Sequence, residues 1–300
     1  YPDYGDYFTQ LEHNALSGLV KGWLPFETSR GCWWGERSQC TFCGSNGTDM
    51  AYASKSPGHA LAELAYLSER YRPRRMLAVD NILDREYFRT VLPALKASHR
   101  CLQLFYETKA NLTKEQVRLL KEAGVVGIQP GIESLSTPIL RLMRKGTTAL
   151  QNVQLLKWAR EAGLQVSWNL LMGFPGEDPA EYARMAGMVP ALIHLQPPRH
   201  CCLIALQRFS PYFYQREALG VCNVRPLVAY RAVYPFPDED LAQLAYFFNY
   251  DYLDGRDPLT YVLPLAETVA AWQEETGAGL AYSGTGEALL VRDARGPAVT

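Results

Sequence analysis

Three cysteines stand close together near the start of the chain, at a spacing that can hold a metal centre. Seven residues separate Cys32 from Cys40, and two separate Cys40 from Cys43. Zinc in a structural site almost always takes four protein ligands, and no fourth Cys or His lies nearby in the sequence. A [4Fe-4S] cluster held by three thiolates keeps one iron open for another molecule. The spacing therefore favours a cluster over zinc.

An open iron is useful when a second molecule binds it. S-adenosylmethionine (SAM) can bind through its amino and carboxylate groups, and electron transfer from the reduced cluster then releases a 5′-deoxyadenosyl radical. The ending of the loop, Phe42-Cys43-Gly44, supports this interpretation. Three thiols without a ligand, or a zinc site completed by a distant residue, are the alternatives.

The other cysteines show no ligand spacing; they are Cys101, Cys201, Cys202 and Cys222. Buried, inert thiols are the ordinary expectation for such residues. One of them could still donate a hydrogen atom to a substrate radical.

Short apolar or β-branched runs alternate with helical patterns through most of the chain. Six runs are predicted as strands, at 24–29, 75–80, 102–107, 125–129, 165–172 and 193–196. Helices are predicted at 57–71, 84–98, 113–123, 149–162 and 178–189, where apolar residues recur at i, i+3 and i+4. Repeating βα units require a parallel sheet with right-handed crossovers. The sequence therefore predicts an α/β fold, a partial (β/α)6 TIM barrel.

Polar or glycine-rich segments follow nearly every predicted strand, at the sheet edge where such folds carry their chemistry. Beyond residue 210 the pattern changes to aromatic-rich helices, predicted at about 240–252 and 259–275, and to a hairpin at 280–292. The cysteine loop is therefore expected at the active end of the barrel, and the C-terminal part is expected to be a helical and hairpin extension.

The composition is that of an ordinary globular protein, with 48% apolar residues and 20% charged residues. Lys plus Arg (30) and Asp plus Glu (31) nearly cancel, so nothing indicates binding to nucleic acid or to an anionic membrane. No apolar run approaches the length of a membrane span, and no leader opens the chain. Seven cysteines fit metal ligation better than a secreted disulfide framework. We expect a cytoplasmic protein.

Ten short segments make the chain resemble the radical SAM C-methyltransferases that mature ribosomally made peptide natural products (RiPPs), a cobalamin-dependent branch. They are Ser29-Arg-Gly-Cys-Trp-Trp-Gly35, Cys40-Thr-Phe-Cys-Gly44, Val79-Asp-Asn-Ile82, Phe105-Tyr-Glu-Thr-Lys-Ala-Asn-Leu112, Ile128-Gln-Pro-Gly-Ile-Glu-Ser-Leu135, Met143-Arg-Lys-Gly146, Trp168-Asn-Leu-Leu171, Gly173-Phe-Pro-Gly-Glu177, His194-Leu-Gln-Pro-Pro198 and Arg208-Phe-Ser-Pro-Tyr212. They cover about residues 25–250.

The resemblance implies a partial barrel of the radical SAM type, with the cluster at its open top and SAM across the strand ends. Residues carried over as cofactor-binding are Phe42, Gly44, Asp80, Asn81, Glu107, Lys109, Glu133, Ser134, Asn169, Gly173 and Gln196, beside the metal ligands Cys32, Cys40 and Cys43. Plainer interpretations stay open: Glu107 with Lys109 as an ion pair, Asp80 as a helix cap, and Gly173 to Gly176 as a simple turn.

One departure from the family concerns cobalamin. Relatives of this branch carry a cobalamin-binding domain before the barrel, and residue 1 falls where that domain would end. We expect a chain trimmed at both ends, with an N-terminal segment at 1–23, the barrel at 24–210 and the extension at 211–300. A cobalamin-free enzyme doing another radical reaction is the alternative.

Three hypotheses follow. The first is C-methylation of a precursor peptide through methylcobalamin, with an external electron donor reducing the cluster. The second is peptide epimerisation or cross-linking without cobalamin. The third is a binding module that a structural metal stabilises and that has no catalytic activity. The modified residue, the peptide and the oligomeric state are not readable from the sequence.

Overall fold

The computed structural model describes residues 1–15, 17, 22–98, 102–284 and 286–296. Its strands are β1 Leu24–Phe26, β2 Ser29–Arg30, β3 Ala53–Ser54, β4 Arg75–Ala78, β5 Gln103–Glu107, β6 Val125–Gln129, β7 Gln165–Val166, β8 Asn169–Met172, β9 His200–Leu203, β10 Leu206–Gln207, β11 Val221–Pro226, β12 Phe247–Tyr252, β13 Leu280–Gly284 and β14 Leu289–Asp293. Its α-helices are α1 Gly5–Glu12, α2 Trp33–Arg37, α3 Pro57–Tyr71, α4 Val91–Ser98, α5 Lys114–Glu122, α6 Thr137–Leu142, α7 Ala149–Ala162, α8 Ala180–Leu192, α9 Pro211–Tyr214, α10 Ala229–Val233, α11 Asp238–Leu244 and α12 Leu259–Glu274. A 3-10 turn covers Glu86–Phe88.

Two compact units divide the chain, and the first comprises Tyr1–Trp33, Ala51–Gly131 and Trp158–Val166. Its centre is a five-stranded sheet in the order β1-β4-β5-β6-β7, with every neighbouring pair parallel. Helices α3, α4 and α5 lie between the parallel strands in sequence, as crossover connections require. The buried side chains of this sheet include Phe26, Met76, Leu104, Tyr106 and Ile128. The apolar runs of the sequence therefore form the core of this unit.

Local signals set the limits of helix α5. Thr113 precedes it, and its side chain accepts a hydrogen bond from the Gln116 backbone while the Gln116 side chain accepts one from the Thr113 backbone. This reciprocal capping box satisfies two amide groups that a helix start otherwise leaves unpaired. Gly124 ends the helix with φ +88°, and a Cβ there would lie 2.6 Å from the Leu102 carbonyl oxygen. A side chain at this position would therefore block the entry into β6.

The second unit comprises Trp34–Met50, Ile132–Lys157 and Ser167–Thr300. It contains the parallel pair β8–β9, the antiparallel sheet β10-β12-β11 and the hairpin β13–β14. Helices α8 and α12 pack against each other. The rings of Trp168 and Trp272, both buried, lie 6.1 Å apart at the centre of its core.

The α/β fold with a parallel central sheet confirms the predicted fold class. The first four predicted strands contain β1, β4, β5 and β6, and the fifth, 165–172, divides into β7 and β8. The predicted domain limits at residues 23 and 210 stay predictions.

The sixth predicted strand, 193–196, is wrong. These residues follow α8, and the strand that pairs parallel with β8 is β9, a few residues later. Pro197 and Pro198 lack the N–H that a strand ladder needs, so pairing begins only beyond them. The apolar run at 193–196 belongs to the end of the helical region.

The predicted helix at 240–252 is also wrong in its second half. Helix α11 ends at Leu244, and Phe247–Tyr252 forms β12, the central strand of the antiparallel sheet. Aromatic residues favour strands because they pack well on a pleated surface. The helix at 259–275 and the hairpin at 280–292 are confirmed as α12 and β13–β14. Cys101 lies outside the described residues.

Within the described residues, no helix combines the length and the apolar character that crossing a membrane requires.

Candidate active site

The part of the cysteine loop that contains Cys40 and Cys43 belongs to the second unit, and its first contacts are with the segment after helix α6. The backbone N–H of Thr41 donates to the Met143 carbonyl at 3.1 Å, and the Thr41 hydroxyl donates to the Leu142 carbonyl at 3.0 Å. Thr41 lies between Cys40 and Cys43, so these two bonds hold the part of the loop that joins two proposed ligands.

Trp34 packs on the same segment, in a place that only glycine permits. Its indole N–H donates to the Arg144 carbonyl at 3.1 Å. A Cβ on Gly146 would lie 2.1 Å from the Trp34 ring, and Gly146 has φ +63°. The Trp34 ring therefore packs directly against the turn Met143 to Gly146. A side chain at position 146 would clash with this ring, so the position requires glycine.

A second group of contacts comes from the segment that follows β10. The side-chain amide of Gln39 donates to the carbonyls of Cys43, at 2.9 Å, and of Phe209, at 3.0 Å. The Gly44 N–H donates to the Gln207 side-chain oxygen at 2.9 Å. Two glutamine side chains thus fix the end of the cysteine loop.

The backbones of the loop and of this segment also touch directly. A Cβ on Gly44 would lie 1.9 Å from the Arg208 carbonyl oxygen, so no larger residue fits there. The Tyr212 N–H donates to the Thr41 carbonyl at 3.1 Å. The Arg208-Phe-Ser-Pro-Tyr212 segment is therefore part of the support of the cysteine loop.

A buried ion pair lies beside the loop. Lys145 Nζ is 3.4 Å from Glu133 Oε1, and the two side chains are 14% and 15% exposed. Burial opposes the charge of Lys145, but the Glu133 carboxylate and the thiols of Cys40 and Cys43 outweigh it and raise the pKa of Lys145. The positive charge of Lys145 therefore lies beside two of the proposed cluster ligands.

Glu133 is held by an uncommon backbone conformation. Its φ is +58°, in the left-handed region, and its carbonyl accepts the Leu171 N–H at 2.9 Å. It also forms an isolated parallel bridge with Leu170 of β8. A non-glycine residue at positive φ is uncommon and is often found at functional sites. Ser134, the next residue, is fully buried, and its hydroxyl accepts the Ser136 N–H.

Cys32 belongs to the first unit. Gly31 before it has φ +80°, and a Cβ there would lie 2.0 Å from the Ala51 carbonyl oxygen. Trp33 after it donates its indole N–H to the Leu83 carbonyl at 3.1 Å. The residues on both sides of Cys32 are therefore fixed by close backbone contacts.

The donor set has the chemistry that an iron-sulfur cluster needs. Cys32, Cys40 and Cys43 are thiols rather than disulfide sulfurs, and all three are partly exposed. Soft thiolates are the ligands that such clusters prefer. No three His, Cys, Asp or Glu side chains of the described residues converge on a metal position. The ligand chemistry and the supported loop, rather than a preformed cage, therefore fit the cluster.

Asp80 and Asn81 follow β4 at the carboxyl end of the first unit's sheet. Asp80 is 1% exposed, and its carboxylate accepts hydrogen bonds from the Thr28 N–H, at 2.7 Å, and from the Thr28 hydroxyl. Burial raises the pKa of Asp80. Its oxygens tie the ends of β1 and β4 together, whereas Asn81 is exposed.

Glu107 is the last residue of β5, the next strand of the same sheet, and Lys109 follows it. The Glu107 carbonyl accepts the Leu83 N–H at 2.8 Å, and the side chain of Lys109 is buried. Since β4 and β5 are parallel neighbours, their ends bring these four predicted residues to one edge of the first unit.

Gly173 lies at the corresponding end of β8 in the second unit, with φ +81°. Its N–H donates to the Tyr182 hydroxyl at 3.1 Å, and its carbonyl accepts from the Tyr252 hydroxyl at 2.7 Å. A Cβ would approach that hydroxyl to 2.9 Å. The Gly173-Phe-Pro-Gly176 turn is therefore held by two tyrosines.

A buried carboxylate completes this turn. Glu177 accepts hydrogen bonds from the Phe174 N–H, at 2.7 Å, and from the hydroxyls of Tyr182 and Tyr261. Burial raises the pKa of Glu177, although these three donors lower it in part. The buried Glu177 carboxylate therefore holds the Gly173-Phe-Pro-Gly176 turn in place through the Phe174 N–H and the Tyr182 hydroxyl.

The remaining predicted residues lie in the second unit. The ring of Phe42 packs edge-on against Phe174, with centroids 6.0 Å apart. Asn169 begins β8 and pairs with His200. Gln196 is exposed, and its carbonyl accepts the Trp168 indole N–H at 3.0 Å.

A cavity of about 640 Å³ opens along β12 and at the end of β9. Its wall combines exposed apolar side chains, such as Leu203, Phe247 and Leu259, with Tyr250, Tyr252 and Arg256. A site with apolar walls and a few polar groups is typical of ligand binding.

Sequence reasoning missed several residues of the site. Gln39, Gln207 and Lys145 have no chemical signature of their own, and only their positions inside or beside the quoted segments mark them. Their partners are backbone groups or residues far away in the sequence, which spacing does not reveal.

Among known families, the sequence model of the Radical SAM superfamily matches residues 26–189, more than half of the chain.

Three curated proteins illustrate the range of relatives. An uncharacterized methyltransferase of Pyrococcus horikoshii is 28% identical over 157 residues, which cover 50% of this chain and 33% of that protein. The tRNA uridine(34) acetyltransferases of Methanocaldococcus infernus and Methanocaldococcus jannaschii are each 28% identical over 27% of this chain and 15% of their own length. The chain thus spans a third or less of these proteins.

Two solved structures share the fold. The radical SAM methyltransferase TsrM from Kitasatospora setae, with tryptophan substrate and a SAM analog bound, has a TM-score of 0.60 and 17% identity, covering 84% of this chain and 52% of TsrM. The cobalamin-dependent SAM radical enzyme OxsB, with aqua-cobalamin bound, has a TM-score of 0.59 and 15% identity, covering 78% of this chain and 39% of OxsB. At these identities the likeness concerns the fold.

Proposed function

Because the chain belongs to the radical SAM superfamily, we propose that it methylates an unactivated carbon of a ribosomally made precursor peptide. One observation carries the radical chemistry: the Cys32, Cys40 and Cys43 thiols occupy a loop whose second half is fixed by two separate segments. The segments quoted above and the methyltransferases among the similar proteins support methylation.

The reaction needs three groups that the protein binds. When bound, the cluster and SAM together supply a 5′-deoxyadenosyl radical, and methylcobalamin supplies the methyl group. Cobalamin is proposed to bind a domain outside these 300 residues, since the chain covers 52% of TsrM and 39% of OxsB.

The residues of this chain position the cofactors and exclude water. Glu133 and Ser134 in the second unit, and Glu107 and Lys109 in the first, are proposed to hold the methionyl and ribose parts of SAM. Phe42 and Phe174 give the cysteine loop an aromatic cover. A dry cover protects radicals from side reactions.

Peptide epimerisation or cross-linking is the second candidate, and one thiol favours it. Cys202 lies in β9 and is exposed. Partial burial raises its pKa, and the nearby Glu133 carboxylate raises it further. A thiol that stays protonated beside a proposed SAM residue suits hydrogen-atom donation.

Mass spectrometry of the peptide product distinguishes the candidates. The full-length, anaerobically reconstituted enzyme is incubated with candidate precursor peptides, methyl-deuterated SAM, hydroxocobalamin and a reductant, so that the methyl group on cobalamin comes from SAM. Methylation predicts a product heavier by one deuterated methyl group in place of hydrogen. A mass that is unchanged in ordinary water and rises by one deuterium in place of hydrogen in deuterated water indicates epimerisation. The loss of two hydrogens indicates cross-linking, and either result contradicts the methylation proposal.

A further inference from the structure

A cavity of about 940 Å³ lies in the first unit, between the loops that follow β4 and β5. Its wall includes Lys109, one of the residues proposed to hold SAM, but not Asp80, Asn81 or Glu107 at the same sheet edge. The cavity therefore adjoins the proposed SAM residues, and most of its wall has no role in SAM binding as proposed above.

The charges around the cavity are mainly positive. Arg85, Arg89 and Lys109 line it, against one acidic residue, Glu86. Arg85 and Arg89 are exposed, and within the described residues neither belongs to an ion pair. Two guanidinium groups at one rim suit an anion, because each presents a fork of donors to a carboxylate.

Two helix starts add to this potential. Thr90 and Thr113 line the cavity and directly precede α4 and α5. The N-terminal end of a helix carries a partial positive charge and favours anions. The cavity therefore combines side-chain and backbone sources of positive potential.

Thr108 in the wall has a polar atom without a partner. The residue is 7% exposed, and its hydroxyl oxygen forms no hydrogen bond. A buried hydroxyl without a partner carries a free-energy penalty. Rotation about χ1 exchanges the hydroxyl and methyl of a threonine, so a ligand in the cavity can recruit this hydroxyl.

The wall also has an apolar side. The Arg85 guanidinium stacks on the Trp33 ring, 3.6 Å from its centre, and Phe88 and Leu112 line the cavity too. Stacking leaves the edge of a guanidinium available for hydrogen bonds. A suitable ligand therefore joins an anionic group to an apolar one.

We propose that this cavity binds an acidic segment of the peptide substrate, with a carboxylate at Arg85, Arg89 and Thr108 and an adjacent apolar side chain against Trp33 and Phe88. The identification of the ligand as a peptide rests on the proposed function. A carboxylate next to an apolar side chain fits both sides of the wall, whereas inorganic phosphate fits only one.

Fluorescence anisotropy with the reconstituted protein tests the proposal. The probe is a fluorescein-labelled peptide of alternating Glu and Leu, and the comparison peptide has Gln in place of Glu. The Glu peptide is expected to bind more tightly. Arg85→Gln and Arg89→Gln should each weaken it by about tenfold, the effect of one charge-assisted hydrogen bond.

Thr108→Val separates binding from folding. Because it removes a buried hydroxyl without a partner, it should not lower the melting temperature. It should nevertheless weaken binding of the Glu peptide by about threefold. Thr147→Val is the matched control, since Thr147 is also buried, has an unpartnered hydroxyl and does not line this cavity. Arg118→Gln is the charge control on exposed α5 surface. Neither control should change binding.

Equal binding of the Glu and Gln peptides overturns the proposal, as does equal binding by wild type and Thr108→Val. Displacement of the probe by SAM or by pyrophosphate at similar concentrations assigns the cavity to those ligands and also overturns it. Release of 5′-deoxyadenosine from SAM is measured in the same samples. A protein that binds the probe as described but does not cleave SAM refutes the proposed function and not the cavity.

Discussion

Single residues beside the cysteine loop carry charges in places that solvent hardly reaches. Glu133 and Lys145 face each other, and Glu177 lies inside a set of three hydrogen-bond donors. In such places, removing one partner costs more stability than the pair itself contributes, because the remaining charged group stays buried without a partner.

Lys145→Met is expected to lower the free energy of unfolding of the cluster-free chain by about 3 to 5 kcal/mol, since it leaves the Glu133 carboxylate buried and unpaired. Urea unfolding under anaerobic, reducing conditions measures this loss. Adding Glu133→Gln should recover part of it.

The exposed pair Arg225–Asp251 is the control, with side chains 51% and 47% exposed. Arg225→Met should change the free energy of unfolding by less than about 1 kcal/mol. Equal losses for the buried and the exposed pair would show that Lys145 and Glu133 do not depend on each other.

Glu177→Gln is expected to change how stability depends on pH. Burial raises the pKa of Glu177 above its ordinary value of 4.5, so folding favours its protonated form. The stability from this proton is fully present below pH 4.5 and is lost as pH rises through the higher folded value.

Melting temperatures of wild type and Glu177→Gln across this pH range check the effect. The neutral amide has no proton to lose, so the melting temperature of the variant should rise relative to that of the wild type as pH increases. A constant difference between the two proteins at every pH contradicts the role given to burial.

For single residues, the sequence identifies the proposed cluster ligands better than the residues that hold the cysteine loop in place. Cys32, Cys40 and Cys43 are recognisable because ligands of one centre often share one loop. Gln39 and Gln207 are not recognisable, because they bind backbone atoms of residues that the fold alone brings near.

Among the elements, the cysteine loop depends on two supports: the turn Met143 to Gly146 and the segment Gln207 to Tyr212. The second support lies beyond residue 189, where the superfamily match ends. The C-terminal part of the chain therefore contributes hydrogen bonds to a loop that lies within the superfamily match.

Gly44→Ala should lower the iron content after reconstitution and the melting temperature, because the new Cβ would lie 1.9 Å from the Arg208 carbonyl oxygen. Iron analysis and calorimetry measure the two effects. Gly58→Ala is the matched control: a Cβ there meets nothing within 4 Å, and its iron content should equal that of wild type. Normal iron loading in Gly44→Ala would show that the loop does not need this close approach.

The elements that periodicity predicts well are those with a clear local pattern. Helix α5 has an apolar stripe and a capping box, and β4 to β6 are short apolar runs. The errors at 193–196 and 240–252 arise where apolar or aromatic runs suit a helix or a strand equally well. Pairing with β8 and with β11, both distant in sequence, decides those cases.

At the scale of the molecule, the parallel sheet explains why the predicted residues gather at strand ends. Parallel strands all end at one edge, so loops far apart in the sequence reach the same place. Composition and the βα pattern are enough to predict this architecture. The sequence predicts the extension after residue 210 only in outline. Its sheet β10-β12-β11 pairs segments that do not share the repeating βα pattern of the barrel.

The chain also spans only part of its relatives, 33% of the Pyrococcus horikoshii methyltransferase and 52% of TsrM. Methylation with cobalamin is therefore proposed for the whole protein, whereas cluster binding and SAM cleavage are proposed for the residues described here. The two claims need separate measurements.

Anaerobic reconstitution with iron and sulfide, followed by electron paramagnetic resonance and assay of 5′-deoxyadenosine, tests whether the three cysteines hold a cluster that cleaves SAM. We expect about four irons and four sulfides per chain, a reduced-cluster signal that SAM changes, and cleavage of SAM. Replacing Cys32, Cys40 or Cys43 by Ala should abolish all three, while Cys222→Ala keeps them. A bound four-coordinate zinc, or a loaded cluster that leaves SAM intact, would show that this chain is not a radical SAM enzyme of the proposed kind.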